Sequence, residues 1–211
     1  MTSMTVEIIG RSSSHFTRVA RIFAFELGVE AKLVPIYDLA ALDEGSYAGN
    51  PALKLPSLRR NGSLLFGTQN ICRALAELAI PSRRVVWPED LRDDLSRNAQ
   101  ELVWHGMAGQ VQIVTGTLLA GLPADNGYFV KGRRGFEGAL HWLDANLQST
   151  LDALPARDLS VLEVTLFCLV DHLRFRETLP LAPYPALLGF RDAFARRPCA
   201  VATAYTFDAP P

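Results

Sequence analysis

Val6-Glu7-Ile8-Ile9-Gly10, Arg11-Ser12-Ser13-Ser14-His15 and then Phe16 to Leu27-Gly28 is the stretch that decides the fold. Its first piece is short, apolar and β-branched, which predicts a strand. Phe16, Val19, Ala20, Phe23 and Leu27 recur at helical spacing and predict a helix with one buried face. Gly28 follows the last periodic residue and suits the helix's C-terminal cap. Three serines lie between strand and helix. A strand turning at once into a helix aims free N–H groups, and any hydroxyls of the turn, at one point. Such a point favours an anion.

Outward from this stretch, Ala31 to Tyr37 reads as a second strand, and Pro35 within it suggests a sheet edge. Asp38 to Gly49 reads as loop with a short helical turn. Asn50 to Leu58 leads into a third strand. Arg60-Asn61-Gly62-Ser63 is a hairpin signal, because Asn-Gly supplies the positive backbone angles of a tight turn. Leu64-Leu65-Phe66 returns, Gly67-Thr68 breaks the strand, and Ile71, Ala74, Leu75 and Leu78 mark a helix face.

Composition shifts at Ile80 to Pro88, the predicted linker. Everything after it reads helical. One long helix is expected from Glu89 to about Ala120 and a second from Lys131 to Leu151. A third opens at Ser160, whose spacing to Glu163 predicts a capping box, with Leu159 and Val164 as a hydrophobic staple. It runs to about Phe175 and is apolar enough to be the centre of a second domain. A last helix runs from Pro185 to Arg197, before Pro198. The expected domains are 1–80 and 89–211, joined by 81–88.

With 49% apolar residues among 211, the chain can bury a sizeable core. A net charge of -1 gives no field favouring nucleic acid or an acidic membrane surface. The arginine pairs are interspersed with acids and read as solvated faces. Three scattered cysteines without a framework point to a reducing compartment, hence a cytoplasmic protein. No signal peptide and no membrane span is legible. The four histidines lack ligand spacing, so no metal site is expected.

The order and spacing of Ser14-His15-Phe16-Thr17-Arg18-Val19-Ala20-Arg21, Asn50-Pro51 with Leu55-Pro56, and Leu65-Phe66-Gly67-Thr68-Gln69-Asn70-Ile71 resemble the glutathione transferase family. Ser160 to Glu163 resembles its second-domain capping box, and Phe194 to Pro198 its closing helix. The resemblance spans essentially the whole chain, and its serine-type loop resembles the tau and zeta classes. It implies an α+β thioredoxin-like N-terminal domain followed by an all-α C-terminal helical domain. It also implies glutathione as co-substrate, a small hydrophobic electrophile, and a homodimer.

Carried onto this sequence, the resemblance makes Ser14 the catalytic hydroxyl that stabilises the glutathione thiolate. Read from the residues alone, Ser14 is first of all the helix N-cap, and the two roles are compatible. Ser12 and Ser13 are one-residue alternatives. The resemblance implies a cis bond at Leu55-Pro56, turning the Leu55 backbone outward to pair with a peptide. Lys54 would help to hold a carboxylate, or is a solvated lysine. Thr68 would hold the γ-glutamyl carboxylate at a helix N-terminus, or is only a cap, with Gln69 beside it. Gly67 departs from the acid or glutamine usual in the family and removes the side chain that would meet the ammonium group. Trp104, His105, Met107 and Gln110 are candidates to line the electrophile site, or core. The rival expectation is a non-catalytic binding or interaction module of the same fold.

Overall fold

The computed structural model describes residues 6–209. The chain divides into two compact units. One takes the chain up to Arg83 and again from Arg197; the other is Arg84–Arg196. The sequence leads one to expect everything after residue 88 in the second domain. The segment from Arg197 belongs to the first unit instead, because its contacts are with the first helix.

In the first unit, β1 (Val6–Gly10), β2 (Lys32–Pro35), β3 (Ser57–Arg60) and β4 (Ser63–Phe66) form a sheet in the order β2-β1-β3-β4. β1 runs parallel to β2, with Ile8 opposite Leu33, and antiparallel to β3, with Ile9 opposite Ser57. Pro35 lies on the edge strand β2, where its missing N–H breaks no ladder bond. Arg60 pairs with Ser63 across a two-residue turn. Asn61 (φ 48) and Gly62 (φ 77) there adopt the positive angles that match the twist of the strands.

β1 is internal to the sheet, and its residues other than Glu7 are buried. Ile9 joins Ile36 and Tyr47 on one face, with Leu39, Leu53 and Leu55 packed against them. Ile8 points to the opposite face by strand alternation. The helices α1 (His15–Glu26) and α2 (Thr68–Leu78) pack against each other. Val19, Ala20, Ile22 and Phe23 of α1 and Ile71 and Leu75 of α2 are at most 1% exposed. Gly28 (φ 65) follows the end of α1, as expected. The first unit is thus the thioredoxin-like α+β arrangement.

The second unit is helical: α3 (Asp94–Ile113), α4 (Gly127–Ala153), α5 (Val161–Arg176) and α6 (Pro185–Phe194). Part of the expected linker is a strand, β5 (Val85–Val86), paired in parallel with β6 (Leu159–Ser160). α3 starts later than predicted, because Asp93 caps it: its carboxylate accepts from the Ser96 amide and hydroxyl, each at 2.8 Å. Its far end becomes a π-helical turn, Val114–Leu119. α4 begins before Lys131, capped by Asn126.

α5 is the buried centre expected. Phe167 stacks on Phe194 of α6 with ring centroids 4.3 Å apart. A Cβ on Gly106 would stand 2.8 Å from Leu169 and 2.9 Å from Phe136, so α3, α4 and α5 meet closely where only hydrogen fits. Ser160 accepts from the Glu163 amide at 3.5 Å, one half of the predicted capping box. The Glu163 carboxylate turns instead to Arg157 Nε, 2.6 Å away. The last predicted helix is two: α6 stops at Phe194, and α7 (Pro198–Ala202) starts again at the proline and joins the first unit.

A candidate site at the start of the first helix

The turn between β1 and α1 is held from several sides. The Ser14 amide closes it onto the Arg11 carbonyl at 3.1 Å. Ser14 is the N-cap of α1, with extended backbone, and its Oγ accepts from the Thr17 amide at 3.2 Å. Thr17 Oγ1 in turn accepts from the Arg11 amide at 3.3 Å. A Cβ at Gly10 would stand 2.4 Å from that hydroxyl, so the close approach of strand end to helix start requires glycine. Arg11 also donates through Nη1 to the Tyr37 carbonyl at 3.1 Å. Ser12 and Ser13 are buried, whereas Ser14 is half-buried.

Strand register brings the second element to the same end of the sheet. Ile9 faces Ser57, so the preceding Pro56 lies level with Gly10 at the mouth of the turn. The Leu55-Pro56 bond is cis, as the resemblance implied. A second cis bond, Ile80-Pro81, carried no legible signal in the sequence. Pro56 is buried, Leu55 is half-buried, and Lys54 is exposed. Asn50 organises the loop before them. Its Nδ2 donates to the Lys54 carbonyl at 2.7 Å and its Oδ1 accepts from the Ala52 amide at 3.0 Å.

The third element arrives through β4, whose last residue Phe66 faces Ser57. Gly67, not Thr68, is the N-cap of α2; Thr68 is its first helical residue. The Thr68 hydroxyl donates to the Phe16 carbonyl in the first turn of α1 at 3.5 Å. Gly67 has φ 87 and ψ 135, a backbone region that side chains other than hydrogen enter only at a cost. That accounts locally for a glycine where the resemblance expects a longer residue. Gly67 also offers no side chain to cap the first-turn N–H groups of α2. Gln69 is half-buried on that turn.

Ser14, the cis Leu55-Pro56 pair and Gly67-Thr68 therefore converge at the C-terminal end of β1. The N-termini of α1 and α2 point there together, and both favour negative charge. Of the four residues expected to line an electrophile site, Met107 and Gln110 are fully buried core. Gln110 is tied to Thr178 Oγ1 at 2.9 Å and to His172 Nδ1 at 3.1 Å. Trp104 is half-buried and His105 exposed.

Sequence reasoning missed the contribution of the C-terminal segment. Asp208 accepts from the Ser12 amide at 2.8 Å and lies 4.0 Å from Arg11 Nε. No local motif announces a contact with that separation in sequence. Among the described residues, no helix is long and apolar enough to cross a membrane, and no group of His, Cys, Asp or Glu could hold a metal ion.

Residues 13–78 match the family model described as the glutathione S-transferase N-terminal domain. The comparison with curated proteins finds no match. Solved structures resemble the chain along nearly its entire length. A glutathione S-transferase from Methylobacillus flagellatus with glutathione bound shares 19% identity at a TM-score of 0.75, covering 96% of this chain and 100% of its own. One from Methylobacterium radiotolerans, in complex with glutathione sulfonate, shares 22% at 0.74, covering 98% of this chain and 99% of its own. A glutathione transferase family member from Pseudomonas fluorescens with bound glutathione shares 19% at 0.75, covering 96% and 100%. Residues 13–78 thus resemble the glutathione S-transferase N-terminal domain, and the chain has the fold of the glutathione S-transferases.

Proposed function

We infer that the protein is a glutathione transferase of the serine type. The observation that carries this reading is the convergence of a cis-proline loop, two helix N-termini and the Ser14 hydroxyl at one end of the sheet. The similar structures with glutathione bound add to it. In this reading the Leu55 backbone pairs with the glutathione peptide, and the first turn of α2 at Thr68 and Gln69 receives the γ-glutamyl carboxylate. Lys54 stands exposed on the same loop as Leu55, where it reaches a second carboxylate.

The chemistry asked of Ser14 is modest. A free thiol has a pKa of about 8.5, and lowering it by about two units takes roughly 2.7 kcal/mol. A hydrogen bond to a charged group contributes about 1.5–3 kcal/mol, and a helix N-terminus about 0.3–1 kcal/mol more. The thiol proton leaves to solvent. The sulfur then attacks the electrophilic carbon, a C–S bond forms, and the leaving group departs with its electron pair. Holding both reactants together supplies much of the acceleration. The electrophile is proposed to be small and hydrophobic, the assembly a homodimer, and the compartment the cytoplasm, in keeping with three buried cysteines that form no disulfide.

A non-catalytic binding module is the second reading, favoured by Gly67, which offers nothing to the glutathione ammonium group. Calorimetric titration with glutathione, followed by turnover of chlorodinitrobenzene, separates the two. Micromolar to millimolar binding with conjugation supports the transferase, binding without conjugation the module. No heat of binding sinks the glutathione site altogether.

A further inference from the structure

The turn that presents Ser14 is gripped by the far end of the chain. α7 and the segment after it lie along α1 in the same unit. Arg18, 2% exposed, anchors that segment. Its Nη2 donates to the Ala200 carbonyl at 3.0 Å and its Nε to Thr203 Oγ1 at 3.4 Å. The Tyr205 ring packs 4.1 Å from its guanidinium carbon. Beyond this anchor the chain reaches the β1–α1 turn. There Asp208, its side chain 9% exposed, accepts from the Ser12 amide at 2.8 Å, and its nearest cation is Arg11 Nε at 4.0 Å.

We propose that Asp208 is a positioning residue for the transferase reaction, acting through the Ser12 amide to hold Ser14 in register with the bound thiol. The inference rests on the reading of Ser14 as the thiolate's hydrogen-bond donor. Ser12 lies inside the turn that Arg11 and Ser14 close, so an acceptor on its amide fixes the peptide plane from which Ser14 extends. Thr17, Tyr37 and the Arg11 carbonyl also restrain the turn. Asp208 does so from 196 residues away. It couples the end of the chain to the placement of one hydroxyl. The same carboxylate brings a negative charge towards a site that must hold a thiolate. Its positional and electrostatic effects therefore oppose each other and can be told apart.

Asp208→Asn keeps an acceptor oxygen for the Ser12 amide and removes the charge; Asp208→Ala removes both. Both are made in the full chain. Turnover, the pKa of bound glutathione by thiolate absorbance, and the hydrogen exchange of residues 11–17 are measured. Asp208→Ala is expected to speed exchange of the turn amides by about tenfold or more. It should raise the bound thiol pKa and lower kcat by about tenfold, with KM for glutathione changing much less. Asp208→Asn is expected to restore protection and turnover, with the thiol pKa at or below the parent value. Equal losses in both variants, or Asp208→Ala behaving as the parent, overturn the proposal. If the parent binds no glutathione, the transferase reading fails. The exchange arm still decides whether Asp208 positions the turn, and unchanged exchange in both variants then overturns that as well.

Discussion

The Ser14 hydroxyl oxygen lies 3.2 Å from the Thr17 amide and acts there as acceptor, which leaves its one proton available. Cap and catalytic donor are thus compatible roles of the same oxygen. Ser14→Ala should leave the fold intact, since losing such a cap costs about 0.5–2 kcal/mol. Glutathione affinity should change little. The pKa of the bound thiol should rise by roughly one to two units, with turnover at neutral pH falling in step. Ser12→Ala and Ser13→Ala should do much less, their side chains being buried. A loss in Ser13→Ala instead would move the catalytic position by one; no change in any of the three would leave Ser14 a cap alone.

Gly67 offers a gain-of-function test. A Cβ there meets only Asn70 Nδ2, at 4.0 Å, so a longer side chain has room. Its φ of 87 imposes a backbone cost of about 1–3 kcal/mol on any other residue. Gly67→Glu should lower the denaturation midpoint and tighten glutathione binding, by placing a carboxylate where the ammonium group is expected. Calorimetry of both proteins checks it. Weaker binding by the variant would show that the γ-glutamyl end lies elsewhere.

Asp93 predicts an acid dependence in the helical unit. Acceptance from the Ser96 amide holds its carboxyl below the usual aspartate value. A depressed folded-state pKa contributes stability above the unfolded value of about 3.9, lost as pH falls through the lower folded value. Asp93→Ala should cost about 0.5–2 kcal/mol at neutral pH. The gap between parent and variant should close as the pH is lowered below the normal aspartate range. A gap independent of pH in urea unfolding would contradict the carboxylate's role.

The thiols should be silent. Cys72, Cys168 and Cys199 are all buried. Burial, aided by a hydrogen bond with Glu26, pushes the Cys199 thiol up to about 12. An aromatic disulfide reagent should therefore react with the native protein far more slowly than with the urea-unfolded chain. Thiolate absorbance between pH 5 and 9, corrected for free glutathione, should then carry little from Cys199. Rapid native labelling would mean that one of these sites opens.

Much of the fold was legible because its signals are local. β1 and α1 announce themselves by their change of period, the hairpin by Asn61-Gly62, and α5 by its cap and apolar run. Element ends were less legible. α3 waits for Asp93, α4 starts early at Asn126, and the last helix breaks in two before Pro198, since competing caps decide each end within a few residues. The residues proposed for the site, Ser14, Leu55-Pro56 and Thr68, came one by one from the resemblance.

Their convergence was not legible. It follows from the register of Ile9 with Ser57 and Ser57 with Phe66, which only the assembled sheet sets. The burial of Met107 and Gln110 was equally hidden, because a helical stripe does not say what covers it. Sequence by itself determined the local elements, the turn chemistry and the residue types at the site, since backbone preference and capping act over a few residues. Tertiary structure alone decided that the chain beyond Arg197 returns to the first unit and that Asp208 meets the Ser12 amide. A hydrogen bond across that length of chain has no local cause: it depends on the segment that Arg18 holds against α1.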